Sequence, residues 1–79
     1  MTEHEKPTLG PDGFVTDEYV DSLIERSAEM GGAAVVVPNA NGLEDALGES
    51  AYYTMPGDDG VRHFFLRWGE RYAHVMVTP

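Results

Sequence analysis

Two histidines, His63 and His74, are the side chains with the greatest chemical capacity in this chain of 79 residues. They lie in the stretch HFFLRWGERYAHVMV, which is typical of two strands joined by a two-residue turn at Gly69-Glu70. In that register the two imidazoles are diagonal neighbours on one face of a sheet, within side-chain reach. An imidazole pair can bind a metal ion, or it can gain protons near pH ~6.

A metal site needs more ligands than these two histidines. Zinc takes four ligands, or three and a water, and Asp58, Asp59 and His4 are the side chains available to complete the set. No local spacing among them matches a known site. We therefore predict no bound metal and no cofactor, and we interpret both histidines as interface residues that stack with nearby aromatic rings. A small metal-binding or ligand-binding protein remains an alternative.

Residues that would support catalysis are scarce. Three serines, Ser22, Ser27 and Ser50, lie in no nucleophile motif. The stretch GGAAVVVPNANG contains glycines but lacks the lysine and hydroxyl side chain of a phosphate-binding loop. A chain this short also has little room for a pocket of the usual volume. We predict that the protein is not an enzyme.

Four acidic residues recur at helical spacing. Asp17, Asp21, Glu25 and Glu29 are each four positions apart, which places them in one row about 6 Å apart along a helix. This spacing is comparable to that of successive phosphates on a nucleic-acid strand. The row is therefore compatible with a nucleic-acid mimic that blocks a basic cleft on a nuclease or a defence complex. The simpler interpretation is a solvated helix face in an acidic protein.

The overall charge limits the classes of partner. Fourteen acidic residues against five basic ones give a formal net charge of −9, which argues against direct binding to nucleic acid or to an anionic membrane surface. The absence of cysteine removes disulfides and thiolate metal sites. The polar start of the chain is unlike a secretory signal, so we expect a cytoplasmic protein. Because Lys6 is the only lysine, the acidity could also reflect adaptation to high salt.

The hydrophobic pattern predicts a single α+β domain over residues 14–79, preceded by a disordered tail over residues 1–13. The order of elements is helix, strand, short helix and three antiparallel strands. The all-apolar strand AAVVVP favours a central position in the sheet. The predicted bounds are a helix at 16–30, a strand at 33–38, a helical turn near 42–47, and strands near 51–55, 61–68 and 71–78.

The hairpin sorts its side chains into two faces, because successive residues of a strand point in opposite directions. The inner face, which should pack under the long helix, holds Phe64, Leu66, Trp68, Ala73, Val75 and Val77. The opposite face carries aromatic, histidine, methionine and arginine side chains, most of which are types enriched at protein interfaces. We take seven of its residues as the candidate interface: Tyr53, His63, Phe65, Arg67, Tyr72, His74 and Met76.

This second face admits two interpretations. Within one chain it can be covered by residues 33–37, by the short helix or by the N-terminal tail. Alternatively, it binds a second copy of the chain or another protein, and symmetric dimers are the commonest assembly. We favour a non-catalytic interaction or regulatory module that forms a homodimer through this face. The nucleic-acid mimic is the first alternative.

Overall fold

The α+β fold predicted from the sequence is confirmed by a computed structural model, which describes residues 7–79. Two helices pack against one four-stranded sheet, and neither helix is long and apolar enough to span a membrane. The elements are α1 (Asp17–Glu29), β1 (Ala34–Pro38), α2 (Leu43–Ser50), β2 (Ala51–Pro56), β3 (Arg62–Trp68) and β4 (Arg71–Thr78), with a short 3₁₀ turn at Asp58–Gly60 between β2 and β3.

Helix α1 begins and ends where its sequence predicts. The Thr16 side chain accepts a hydrogen bond from the Tyr19 N–H at 3.2 Å, and two acidic residues follow it at the positive end of the helix. At the other end Gly31 has φ 73°, a left-handed conformation that glycine adopts without strain. The buried stripe of the helix consists of Tyr19, Val20, Leu23, Ile24, Ser27 and Ala28.

The sheet has the strand order β1-β4-β3-β2, with β1 parallel to β4 and the other pairs antiparallel. The sequence interpretation that favoured a central position for β1 is therefore wrong, because β1 is an edge strand. Its burial alternates: Val35 and Val37 are buried, whereas Val36 is 55% exposed. The apolar character of β1 thus does not reflect burial of both faces within one chain.

The β3–β4 hairpin has the predicted register. Trp68 faces Arg71, Leu66 faces Ala73 and Phe64 faces Val75. Gly69 has φ 64°, and Glu70 has no positive φ, as the two central positions of a type II′ turn require.

Both helices cover the same face of the sheet. The buried residues of β1, β3 and β4 meet the stripe of α1, and Leu43 and Leu47 of α2 join the same cluster with no exposure. A two-layer domain of this size has one core, and here it lies between the helices and the inner face.

The start of the described chain is held by backbone hydrogen bonds. Gly10 N–H donates to the Phe14 carbonyl at 2.7 Å, and Thr16 N–H donates to the Thr8 carbonyl at 3.2 Å. The predicted disordered tail ends at residue 13, but the backbone hydrogen bonds of this turn begin at Thr8. Residues 1–6 of the predicted tail lie outside the described residues.

A buried hydroxyl joins α1 to both parallel strands. In the register of β1 and β4, the His74 N–H is directed toward the Ala33 carbonyl. The fully buried Ser27 Oγ lies between them, accepting from the His74 N–H at 2.7 Å and donating to the Ala33 carbonyl at 2.6 Å. One side chain therefore serves a backbone donor and a backbone acceptor at the start of the parallel pair.

We expect Ser27→Ala to lower the free energy of unfolding by about 1–3 kcal/mol, because it deprives two part-buried backbone groups of their hydrogen-bond partner. Ser22→Ala is the matched control, since Ser22 lies on the exposed side of the same helix. Urea denaturation of both variants measures the difference. Equal stabilities for the two variants would contradict this role for Ser27.

Candidate functional site

The face of the sheet turned away from the helices, here called the outer face, is the candidate functional site. All seven residues proposed from the sequence lie on it, although their role in binding stays a prediction. Tyr52, Tyr53 and Tyr72 are 58%, 56% and 58% exposed, and His63, Phe65 and His74 are half-buried. The outer face comprises Val36, Tyr52, Tyr53, Met55, His63, Phe65, Arg67, Tyr72, His74 and Met76.

Two of the three ways of covering this face within one chain are ruled out. Strand β1 does not lie over the sheet but extends it, so that Val36 adds to the exposed apolar surface. Helix α2 packs into the core on the inner face through Leu43 and Leu47. The third, the N-terminal tail, was predicted for a segment that includes residues 1–6, outside the described residues.

Strand β2 contributes more to the outer face than the sequence indicated. From the sequence, Met55 opposite Val61 would place Tyr53 opposite His63. This register is wrong by two residues, because Tyr53 pairs with Phe65 and Met55 pairs with His63. Because side chains alternate with a period of two, this shift leaves Tyr53 on the same face. Met55 is two residues from Tyr53 and therefore lies on the same face, so the alternation of side chains could have identified it as an outer-face residue.

Tyr52 reaches the outer face for a different reason. The β2–β3 register shifts between Ala51 and Tyr53, so Tyr52 is an extra residue in a bulge. Its ring lies edge-on to the Tyr72 ring, with centroids 6.1 Å apart. Strict alternation would send Tyr52 to the inner face, and no local sequence signal marks the bulge.

The two histidines share a hydrogen bond. His63 Nδ1 lies 2.9 Å from His74 Nε2, and the ring centroids are 5.1 Å apart. The centroid separation is about the N–N distance extended by one ring radius at each end, so the rings meet edge to edge. One proton between the nitrogens fits this geometry, whereas two protons would bring two N–H groups into opposition. The pair can therefore carry one positive charge but must separate to carry two.

Neighbouring groups hold each imidazole in place. The Phe65 ring is stacked on the His74 ring with centroids 4.3 Å apart, and Tyr53 lies against the other side of the cluster at 5.8 Å from Phe65. On the far side of His63, a Cβ added to Gly57 would fall 2.6 Å from Nε2. A larger residue at position 57 would therefore displace the His63 ring.

The geometry of the pair suits a proton better than a metal ion. The two nitrogens point at each other, and a metal bound by both would require each confined ring to turn away from that line. Within residues 7–79 no group of three or more histidine, cysteine, aspartate or glutamate side chains is placed to hold a metal. Asp58 and Asp59, considered above as additional ligands, belong to no such group, and His4 lies outside the described residues.

Burial and the nearby histidine both disfavour the charged form of His74. Partial burial, and secondarily the positive charge that His63 can carry, lower the pKa of His74 from its usual 6.5. The folded state therefore holds this imidazole neutral at a pH where the unfolded chain begins to take up a proton.

Charge is segregated between the two layers of the domain. Helices α1 and α2 carry five and three acidic residues, eight of the fourteen in the chain, and one arginine. Within residues 7–79 the four strands contain no acidic residue, and they contain three arginines: Arg62, Arg67 and Arg71. The acidic row of α1 is fully on the helical side, where Asp17, Asp21, Glu25 and Glu29 are all exposed.

Comparison of this chain with protein-family models, with curated proteins and with solved structures found no match.

We expect the stability of the protein to decrease as the pH falls below 6.5, because the unfolded chain then binds a proton that folded His74 takes up only at lower pH. Above 6.5 the contribution of His74 is fully present. Urea denaturation between pH 7.5 and about 5.5, above the range in which most carboxylates titrate, measures this slope.

His74→Gln is the matched variant for this measurement, since glutamine retains hydrogen-bonding capacity without titrating in this range. We expect its stability to vary less with pH than that of the wild type. A wild-type slope that persists unchanged in His74→Gln would show that other groups cause it.

Proposed function

We propose that the protein is a non-catalytic interaction module that binds through the outer face and forms a homodimer. The observation that supports this most directly is the exposure of large side chains on a face that neither helix covers: Val36, Tyr52, Tyr53 and Tyr72 are each more than half exposed. Contiguous apolar and aromatic surface of this kind marks binding sites in soluble proteins. We further expect it to act in the cytoplasm, on the sequence considerations above.

A protein partner fits the outer face better than a nucleic acid does. Aromatic side chains on a four-stranded sheet can stack bases, but binding also needs cations for the phosphates. Arg67 is the one arginine or lysine on the outer face of the described strands, and its guanidinium already lies 5.8 Å from the Tyr72 ring centroid. Eight acidic residues on the opposite layer would repel the phosphates further.

A second copy is a suitable partner because of the charge segregation. A partner that approached the helices would meet the acidic layer, whereas the outer face has no acidic side chain on its strands. Two copies joined by their outer faces would keep both acidic layers in solvent and on opposite sides. Joining small domains in this way also supplements a core limited by chain length.

We expect the mass in solution to be twice 8.7 kDa, and Phe65→Ala or Tyr72→Ala to shift it toward the monomer. Aromatic residues at the centre of an interface typically contribute about 2 kcal/mol each, and the dimer loses one from each copy, so the dissociation constant should rise about 10³-fold. Sedimentation equilibrium measures both quantities. Tyr72→Ala is the cleaner variant, because Tyr72 is 58% exposed and its removal should leave the fold intact.

The matched controls are Asp21→Asn, Glu25→Gln and Glu29→Gln on α1. We expect each of them to leave the assembly unchanged, because they lie on the opposite layer. A wild-type protein that remains monomeric at high micromolar concentration would refute the homodimer.

The nucleic-acid mimic is a second candidate, supported by the exposure of the whole acidic row on α1. A mimic would bind a basic nuclease or defence protein with an affinity that falls steeply as salt screens the charges. It would lose that binding on neutralisation of Asp21, Glu25 and Glu29, and would retain it in Phe65→Ala. The same two sets of variants therefore distinguish the two proposals.

We also expect acidification to weaken the dimer. Full protonation of His63 and His74 would break their hydrogen bond and place two positive charges on the outer face, whereas a buried interface favours their neutral forms. Light scattering from pH 8 to about pH 5.5 measures the assembled mass. An unchanged mass across this range would contradict a buried position for the histidine pair.

A further inference from the structure

We infer that the two copies of the dimer join outer face to outer face with their strands antiparallel, so that Arg67 of each copy meets Asp58 and Asp59 of the other. This inference rests on the homodimer proposed above and adds the orientation of the partner. It follows from the positions of the charged groups at the two ends of the outer face.

One end of the outer face is positive. Arg67 lies two residues before the β3–β4 turn, opposite Tyr72, and its side chain is exposed. Glu70 and Arg71 belong to the same end and carry opposite charges, so together they add no net charge. The guanidinium of Arg67 therefore sets the sign at this end.

The other end of the outer face is negative. The backbone of Gly57 lies against the His63 ring, which places the following turn at the border of the outer face. That turn carries Asp58 and Asp59, both exposed. Arg62 is near this end but points to the inner face, where its guanidinium pairs with the Glu44 carboxylate at 3.5 Å.

Two face-to-face arrangements with two-fold symmetry are available. If the symmetry axis runs along the strands, like ends meet: Arg67 faces Arg67, and the two aspartates face their own copies. If the axis crosses the strands, unlike ends meet, and each copy places Arg67 toward Asp58 and Asp59 of the second copy. Like charges in apposition disfavour the first arrangement, and both ends of the second are attractive.

The central side chains are compatible with the antiparallel arrangement. Phe65 and His74 are stacked midway along β3 and β4, so an axis that crosses there brings the two stacks together. Packed sheets lie about 10 Å apart with strands within about 30° of alignment. The result is a four-layer dimer of helices, sheet, sheet and helices. In this dimer the aromatic centre provides affinity, and the charged ends select the orientation.

Charge exchange tests the orientation. One variant is Arg67→Glu, and the other combines Asp58→Lys with Asp59→Asn. Asparagine is chosen at position 59 because Asp59 has φ 58°, a left-handed conformation that asparagine tolerates and lysine does not. Sedimentation equilibrium of each variant alone should show a dissociation constant raised at least about tenfold, because both ends then repel.

An equimolar mixture of the two variants should restore a dimer that contains one copy of each, because every charged contact is again attractive. A mass tag on one variant identifies the mixed species by native mass spectrometry. The matched controls are Arg71→Glu, at the same end but on the inner side, and Asp21→Lys with Glu25→Gln on α1. Neither control should weaken the dimer or require a complementary partner.

The outcomes separate this inference from the proposed function. A monomeric wild type would refute the homodimer and the inference together. A wild-type dimer that Tyr72→Ala weakens, but that the charge variants leave unchanged, would overturn the orientation alone. Weakening by both charge variants without recovery in the mixture would also overturn it, because Arg67 and the two aspartates would then not be in contact.

Discussion

The structure depends on the packing of both helices against one face of a sheet that carries large apolar side chains on both faces. Two helices cover one face of the sheet, and together with β1, β3 and β4 they form the whole buried core. The other face carries side chains that would be expected in an interior or an interface, yet no second layer of the described chain reaches it. Burial of apolar area is the main favourable term in folding and association, so this face is where further burial can occur.

Ser27 links the two faces of the sheet. Its hydroxyl holds the backbone N–H of His74 from the helical side, while the His74 imidazole lies on the outer face and shares a hydrogen bond with His63. The position of that imidazole is therefore set by a contact in the core, and Phe65 and Gly57 restrict the rings from the side. Because the two imidazole rings have little freedom to move, a change in their protonation state would directly affect any partner bound to the outer face.

Local features of the sequence predicted the fold class and the hairpin, because a cap, an amphipathic stripe and a glycine turn act over few residues. Thr16 and Gly69 illustrate this: each determines its own element through its backbone conformation. The edge position of β1 could not be predicted in this way, since it depends on pairing with β4 some forty residues later in the chain. A run of valines indicates apolar surroundings but does not tell whether they are internal or supplied by a partner.

The part of the candidate site that depends on the alternation of side chains along the strands could be predicted from the sequence. Seven outer-face residues follow from the parity of the strands, whereas Tyr52 depends on a bulge, and the shared proton of the histidine pair depends on a distance that register alone does not give. The segregation of charge could not be predicted from local sequence, because it is visible only once each helix and strand has been assigned to a layer of the fold.

Charge segregation also reconciles the two candidate functions, because they use different surfaces of the same small protein. The acidic row of α1 and the aromatic outer face lie on opposite layers, so occupation of one leaves the other in solvent. A dimer joined by its outer faces would present two acidic helical surfaces pointing in opposite directions, and screening by salt would reduce the repulsion between them. In the proposed dimer the acidic helix layer would repel further copies on its far side, which favours an assembly of two.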